Sequence, residues 1–83
     1  GAYGVLDCGA FITAFTLAAA ALGVSSIPQA AIAGRAPIVR EVLNIGEDRD
    51  VLCAISFGFA DTDHPANSFR TERADLAEFV EWV

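Results

Sequence analysis

The sequence predicts a mixed fold of helices with at least one buried strand, in which these 83 residues form one section of a larger core. An alanine-rich stretch without charge, residues 8–34, is typical of a helix that is buried on several sides. A nearly continuous apolar run, Val51–Phe59, is typical of a strand covered on both faces. Hydrophobic residues make up 54% of the chain, whereas so small a domain buries only about 60% of its unfolded surface. The chain therefore carries more apolar material than it can cover by itself.

The first predicted element is a helix from Asp7 to about Leu22. Asp7 is a favoured N-cap residue, and Gly23 is a favoured C-terminal stop. The large apolar residues do not form one narrow stripe; they are Phe11, Ile12, Phe15, Leu17 and Leu22. Alanines fill most of the remaining positions, so the helix is expected to have close neighbours on several sides.

A short extended segment and a second helix are predicted next. Val24–Ile27 precedes Pro28, and a proline pushes the residue before it toward extended conformations. Pro37 suits the first turn of a helix with the sequence APIVREVLNI. Gly46 is predicted to be the C-cap of this helix, within a polar turn.

The last third of the chain is predicted to hold the strand Val51–Phe59, then a loop, then a short helix. The loop, Asp61–Thr71, shows no regular periodicity. From Asp75 onward the sequence DLAEFVEWV places apolar residues at helical spacing, which indicates a short terminal helix.

The charge and the cysteines limit the partners and the compartment. A net charge of −6 without any lysine argues against sequence-independent binding to nucleic acid. Cys8 and Cys53 are predicted to be buried free thiols, which suits a reducing, cytoplasmic location. No basic segment of a signal peptide precedes the apolar stretch. A membrane span is disfavoured because Pro28 and several polar residues interrupt the uncharged stretch.

Side-chain catalysis and metal binding are not predicted. His64 is the only histidine and neither cysteine belongs to a C-x-x-C motif, so no metal site of ordinary spacing can be assembled. His64 is expected to be a solvated surface residue. The carboxylates of Asp48, Asp50, Asp61 and Asp63 are better explained by solvated turns than by acid–base chemistry. No residue is therefore assigned a catalytic role.

The remaining candidates are backbone amides and two arginines. In the sequence SSIPQAA, residues 25–31, Ala30 and Ala31 present N–H groups that no bulky side chain shields. Arg70 and Arg73 could pair with a phosphate or a carboxylate. Two alternatives stay open: residues 25–31 could be a connection packed against the core, and the arginines could form ordinary surface pairs with Glu72 or Asp75.

The order and spacing of several segments resemble the C-terminal half of the FMN-dependent nitroreductases. The segments are DCGAF, LAAAALGV, SIPQA, PIVREVL, VLCAISFGFAD and FRTERADLAEFVEW. Together they extend over essentially all 83 residues. No single segment is unique to the family, and the specificity comes from their order and spacing.

This resemblance implies an α+β fold with a mostly antiparallel sheet between helices, built as an intertwined homodimer. Residues 1–83 would be the C-terminal part of a single FMN-binding domain, whose N-terminal half would be the other partner. The helix Asp7–Leu22 would lie at or near the dimer interface. The domain would use NAD(P)H and reduce a small-molecule electron acceptor, with no part for nucleic acid or membrane.

The resemblance also implies which residues contact the flavin. The segment Pro28-Gln29-Ala30-Ala31 would run along the flavin ring, with the Ala30 N–H at N5, the Ala31 N–H near O4 and Pro28 shaping the bend. Arg73 would hold the FMN phosphate with help from Arg70. The family usually has Lys-x-Arg followed by Pro-Leu in this place, whereas this chain has Thr71 at the lysine position and Asp75 at the proline position. The family's N-terminal Arg-Ser-x-Arg cluster has no counterpart in these residues.

The chain is thus predicted to be part of an FMN-dependent NAD(P)H oxidoreductase that reduces nitro, quinone or enone acceptors. The 83 residues alone are expected to be inactive. Two alternatives remain: a non-enzymatic helical dimerisation module, and a relative with the same fold but another flavin chemistry.

Overall fold

The computed structural model describes residues 1–83 as two α-helices, two β-strands and three short 3-10 helices. In chain order these are helix α1 (Ala2–Ala21), strand β1 (Ser25–Gln29), a 3-10 helix (Ala30–Arg35), helix α2 (Ala36–Leu43), strand β2 (Ala54–Gly58) and two 3-10 turns (Pro65–Asn67 and Leu76–Glu78). The predicted α+β character is confirmed, and its sheet is a two-stranded antiparallel pair.

Helix α1 begins five residues earlier than the sequence indicates. It starts at Ala2, with Gly1 as the N-cap, and no side chain caps its first turn. The prediction that Asp7 caps the helix is wrong, because residues 2–6 contain no proline and extending a helix costs little once it has formed.

The predicted stop of α1 at Gly23 is confirmed. Leu22 is the C-cap, and Gly23 has a φ of 76°, which a side chain would oppose. The Val24 N–H donates to the Ala19 carbonyl at 2.9 Å and the Gly23 N–H donates to the Ala20 carbonyl at 3.0 Å. This pair of hydrogen bonds is a Schellman motif, which satisfies the last carbonyl groups and turns the chain toward β1.

Strand β1 confirms the predicted extended segment, but it begins one residue later, at Ser25, and extends past Pro28 to Gln29. It pairs with β2 in the register Ser25↔Gly58 to Gln29↔Ala54. Side chains alternate between the two faces of a strand, so Pro28 and Phe57 share one face and Gln29 and Ser56 share the other. The first face lies toward α1, where the rings of Phe15 and Phe57 meet edge to face at 5.6 Å.

Strand β2 is shorter than the predicted strand, Val51–Phe59. Pairing stops at Ala54 because β1 changes into a 3-10 helix at Ala30, so Val51–Cys53 have no strand beside them. Within this chain β2 is covered on one face only, and Ser56–Gly58 are exposed.

Helix α2 has the predicted proline in its first turn, but its C-cap is Asn44. Asn44 has φ 54° and ψ 48°, so it adopts the left-handed conformation expected of Gly46. Asparagine tolerates this conformation better than most residues. Because Asn44 precedes Gly46 in the chain, the helix already ends at Asn44. The turn that follows is held by the Arg40 Nη2, which donates to the Arg49 carbonyl at 2.9 Å.

The C-terminal third contains the predicted loop but only one 3-10 turn, Leu76–Glu78, where a terminal helix is predicted. Short helices depend on packing of their apolar face, and Phe79 and Trp82 are exposed. That prediction is wrong for this chain.

No residue of the chain is buried. The radius of gyration is 16.3 Å, whereas a compact domain of this length has a value of about 12 Å. The expectation of two buried thiols is wrong here, because Cys8 is exposed and Cys53 is half-buried. Helix α1 is also long and apolar enough to cross a membrane, a test that core helices of soluble proteins pass equally.

Candidate functional site

The candidate site lies where β1 ends and the 3-10 helix begins. Pro28 and Gln29 are the last two residues of β1, and Ala30 and Ala31 are the first two of the 3-10 helix. Gln29 is extended, with φ −126° and ψ 97°, so the backbone changes direction between Gln29 and Ala30. All four residues are exposed, in a chain in which no residue is buried.

The amides of Ala30 and Ala31 point out of an uncapped helix end. The first N–H groups of a helix have no partner inside it, and no side chain caps this one. Neither amide donates to a side chain or to a turn or loop carbonyl. Because both side chains are methyl groups, a ligand can approach the two donors closely.

The Gln29 side chain is held back against the sheet. The Ser56 Oγ donates to the Gln29 Oε1 at 2.6 Å. The two residues are diagonal neighbours on one face of the two-stranded sheet. This bond fixes the last residue before the two free amides, and it could not be found from the sequence because Ser56 is 27 residues away. The one available signal was the strand alternation that places both residues on one face.

A shallow concave surface of about 320 Å³ lies at the Ser25–Gly58 end of the two-stranded sheet, and none of Pro28–Ala31 lines it. Its lining residues have in common that none is titratable; they are Ser25, Ser26, Ile27, Ser56, Phe57, Gly58, Phe59, Ala60 and Asn67. Such a surface offers hydroxyl, amide and aromatic contacts to a ligand and no acid or base. Sequence reasoning missed Ser56, Phe57 and Phe59 as candidates.

Arg70 and Arg73 lie in an irregular, exposed segment between the two 3-10 turns. The Arg73 Nη1 donates to the Thr71 Oγ1 at 2.6 Å, and the Arg70 Nη1 donates to the Phe69 carbonyl at 3.4 Å. Neither arginine forms an ion pair, since the one ion pair in the chain joins Arg49 and Asp48 at 3.9 Å. Surface pairing with Glu72 or Asp75 is therefore not observed, and both guanidinium groups keep donors for another anion.

The structure brings together four of the six predicted site residues. Pro28 to Ala31 form one continuous edge, whereas no hydrogen bond or ion pair joins Arg70 or Arg73 to that edge. His64 is exposed as predicted, and its Nδ1 accepts a hydrogen bond from the Ala66 N–H at 3.0 Å. That bond caps a 3-10 turn, which is a structural role.

The profile described as "Nitroreductase family" matches residues 1–59 of the chain. The matched region contains Pro28, Gln29, Ala30 and Ala31 and ends before Arg70 and Arg73. The 4-nitrobenzoate reductase of Nocardioides sp. (strain LMS-CY) is 35% identical over 79 residues, which is 95% of this chain and 32% of the relative.

Two solved structures are similar to the whole arrangement. The FMN-dependent nitroreductase NfnB from Mycobacterium smegmatis, solved in complex with NADPH, has a TM-score of 0.88 at 37% identity. A mutant of the FMN- and NADPH-dependent nitroreductase NfnB from Sphigopyxis sp. strain HMH has a TM-score of 0.90 at 28% identity. The match covers 95% of this chain in both cases, but 35% and 37% of those chains. The chain thus spans about a third of the length of the relatives it matches.

Proposed function

Because the chain belongs to the nitroreductase family, we propose that it supplies one part of the flavin site of an FMN-dependent, NAD(P)H-oxidising nitroreductase. Residues 1–83 then form the C-terminal part of a single domain, and the domain is a cytoplasmic homodimer with α1 at or near its interface. The observation that carries the proposal is the match over residues 1–59, which includes the edge with two free amides.

The residues of this edge fit a flavin. A flavin ring is planar and carries hydrogen-bond acceptors along one side, and the uncapped end of the 3-10 helix presents two neighbouring donors without bulky side chains. We assign the Ala30 N–H to N5 and the Ala31 N–H to O4. Pro28 and the Ser56–Gln29 hydrogen bond hold the backbone that carries these donors.

The arginines fit the other end of the cofactor. A phosphate group accepts several hydrogen bonds from a guanidinium, and neither Arg70 nor Arg73 is neutralised by a carboxylate in this chain. Arg73 is assigned to the phosphate, with Arg70 as a second donor. Thr71 stands at the position where the family has a lysine, and its hydroxyl orients Arg73 by accepting a hydrogen bond at 2.6 Å.

FMN, when bound, supplies the chemistry by taking a hydride from the nicotinamide and passing it to a nitro, quinone or enone acceptor. The residues of this chain bind and orient the ring. A backbone N–H that donates to N5 would stabilise the negative charge that develops on the ring, and it would do so without giving up its proton.

A chimera tests the proposal. In it, residues 1–83 of this chain replace the matched stretch of the M. smegmatis NfnB, a flavoprotein in its own right. We expect the purified chimera to retain FMN, seen as visible flavin absorbance and quenched flavin fluorescence, and to oxidise NADPH with a nitroaromatic acceptor. NfnB with the matched stretch deleted is the control, and we expect it to hold no flavin.

A soluble, colourless chimera that does not quench added FMN would contradict the proposal. Such a result would favour the alternative that the chain is a non-enzymatic dimerisation module. A chimera that binds FMN but reduces no nitro, quinone or enone compound would leave the flavin site in place and point to another flavin chemistry.

A further inference from the structure

We propose that Ser56 is a positioning residue, which keeps the Ala31 N–H free for a ligand by holding the Gln29 side chain away from it. Ser56 itself contacts no ligand and acts only through Gln29. That the ligand is FMN rests on the proposed function, whereas the state of the amide can be measured without any flavin.

The position of Gln29 creates a competitor for the site. Gln29 is the N-cap residue of the 3-10 helix Ala30–Arg35. At an N-cap, a side-chain oxygen characteristically accepts a hydrogen bond from the second or third N–H of the helix, and here these belong to Ala31 and Ile32. A cap from the Gln29 Oε1 would thus occupy the donor that is assigned to flavin O4. No side chain caps this helix, so the Gln29 oxygen is engaged elsewhere.

Ser56 provides the contact that holds Gln29 back. Its Oγ donates to the Gln29 Oε1 at 2.6 Å, which is the atom that a cap would use. Ser56 lies opposite Ile27, two residues before Gln29 in β1, whereas the helix begins one residue after Gln29. The hydrogen bond therefore draws the carboxamide back along the sheet and away from Ala31.

This hydrogen bond differs from the other side-chain hydrogen bonds of the chain in its reach. It joins residues 27 positions apart, whereas the next longest, from Arg40 to the Arg49 carbonyl, joins residues nine apart. It forms only where β1 and β2 pair in their observed register. The state of the amide edge is in this way coupled to the pairing of the two strands.

The size of the effect follows from the competition for the Gln29 oxygen. Without the Ser56 hydroxyl, the Oε1 accepts hydrogen bonds from water or from the amides beside it. A neutral hydrogen bond contributes little once water competes for its partners. We therefore expect changes of several-fold and no complete loss of the site.

Amide hydrogen exchange in the flavin-free NfnB chimera tests the cap itself. In Ser56→Ala the N–H of Ala31 or Ile32 should exchange about threefold or more slowly than in the parent, because an amide bonded to Gln29 is protected. NMR of the 15N-labelled protein resolves the two amides. Ser56→Thr keeps a hydroxyl and should behave like the parent. Ser68→Ala is the matched control, since it removes another hydroxyl hydrogen bond of 2.6 Å, to the Pro65 carbonyl.

FMN affinity tests the consequence for binding. Ser56→Ala should weaken the binding of FMN by the chimera about two- to tenfold, since the flavin then competes with Gln29 for the Ala31 N–H. Adding Gln29→Met keeps the length of the side chain but removes its oxygen, and it should recover most of the lost affinity. If Ser56 only stabilised the sheet, the second substitution would recover nothing.

Gln29→Asn leaves Ser56 in place and tests the same competition from the other side. Its carboxamide is one methylene shorter, which withdraws it from Ser56, and asparagine is a favoured N-cap residue. This variant should slow exchange of the Ala31 or Ile32 N–H and weaken FMN binding, as Ser56→Ala does. It provides the test if Ser56→Ala does not fold.

The results separate this role of Ser56 from the proposed function. Unchanged exchange at Ala31 and Ile32 in both variants would overturn the role, as would a loss of FMN affinity in Ser56→Ala that Gln29→Met does not recover. A parent chimera without FMN contradicts the flavin site, yet slowed exchange in its Ser56→Ala variant still supports the role of Ser56. Retained FMN with unchanged exchange does the reverse.

Discussion

At the scale of single residues, the proposed site at Ala30 and Ala31 consists of backbone. Their N–H groups start a 3-10 helix that no side chain caps, and their methyl groups leave room for a ligand. Bulky side chains, such as aromatic or branched ones, would cover the donors at these positions. The absence of reactive side chains around them is thus consistent with a role in holding a cofactor that carries the chemistry itself.

Replacing Ala30 by proline removes one amide donor with little effect on the backbone. Proline is tolerated as the first residue of a helix, and Gln29 before it is already extended. We expect Ala30→Pro to weaken FMN binding by the NfnB chimera about tenfold, since a hydrogen bond to a polar acceptor contributes roughly 1–2 kcal/mol. Titration of the chimera with FMN, followed by flavin fluorescence, measures this affinity. Ala30→Ser keeps the N–H and should bind FMN normally, and an unchanged affinity in Ala30→Pro would remove Ala30 from the site.

Arg73 is expected to act on the phosphate alone. Arg73→Ala should weaken FMN binding by about 10–100-fold, because charge-assisted hydrogen bonds contribute roughly 1.5–3 kcal/mol. Riboflavin, which lacks the phosphate, should bind the variant and the parent equally. Arg49→Ala removes an arginine whose partner is Asp48 and serves as the control. An equal loss of affinity for FMN and for riboflavin would show that Arg73 does not act through the phosphate.

Gly23 is required by the backbone at the end of α1. Its φ of 76° is left-handed, and a non-glycine residue there costs about 1–2 kcal/mol. Gly23→Ala should lower the free energy of unfolding of the chimera by that amount in a urea titration. Gly34 also has open space around it but no left-handed φ, so Gly34→Ala should be neutral or slightly stabilising. Equal effects of the two substitutions would argue against the Schellman motif.

At the scale of elements, the chain has few contacts that tie one element to another. Helix α1 is joined to the sheet mainly through β1 and through the ring pair Phe15–Phe57. Phe11 extends this aromatic cluster, with its ring 6.4 Å from that of Phe15. The Schellman motif at Gly23 sets the angle at which the chain leaves the helix. These features hold β1 in place and so position the edge that carries the two amides.

A double-mutant cycle measures the ring pair. Phe15→Leu and Phe57→Leu, made singly and together in the chimera, should show a coupling of about 0.5–1.5 kcal/mol, the value typical of aromatic pairs in this geometry. Urea titrations give the four free energies of unfolding. Phe57 and Phe69 have similar exposure, at 67% and 63%, so a Phe15/Phe69 cycle is the control and should show no coupling. A zero coupling for Phe15 and Phe57 would mean that α1 is held by other contacts.

At the scale of the whole molecule, the chain has secondary structure without a core. None of its residues is buried, and its dimensions of 44 × 40 × 23 Å are those of an open arrangement. The hydrophobic effect is the main source of folding free energy, and most of that surface remains in water here. The stability of the complete domain must therefore come from contacts that cover this apolar surface.

The isolated 83 residues are expected to lack a cooperative unfolding transition. Without a packed core the chain should bind ANS and show a broad thermal change in circular dichroism, with a radius of gyration well above the roughly 12 Å of a compact domain. Small-angle scattering and calorimetry provide these measurements, and the NfnB chimera is the comparison. A sharp two-state transition with compact dimensions would show that the chain covers its apolar surface by itself.

The sequence alone determined the elements whose causes are local. The glycine that stops α1, the proline in the first turn of α2 and the extended segment before Pro28 follow from neighbouring residues, and the family resemblance follows from the order and spacing of segments along the chain. The candidate edge Pro28–Ala31 was likewise visible as small residues after a proline. Its assignment to a flavin, and that of Arg70 and Arg73, stay predictions.

Tertiary structure decided what depends on residues far apart in the chain. The pairing of β1 with β2 shortened the predicted strand and brought Ser56 to Gln29. The absence of packing partners reduced the predicted terminal helix to a single turn, and it left Cys8 exposed. Such features cannot be inferred from local patterns, because the free energy that selects them comes from surfaces that meet only when the chain folds.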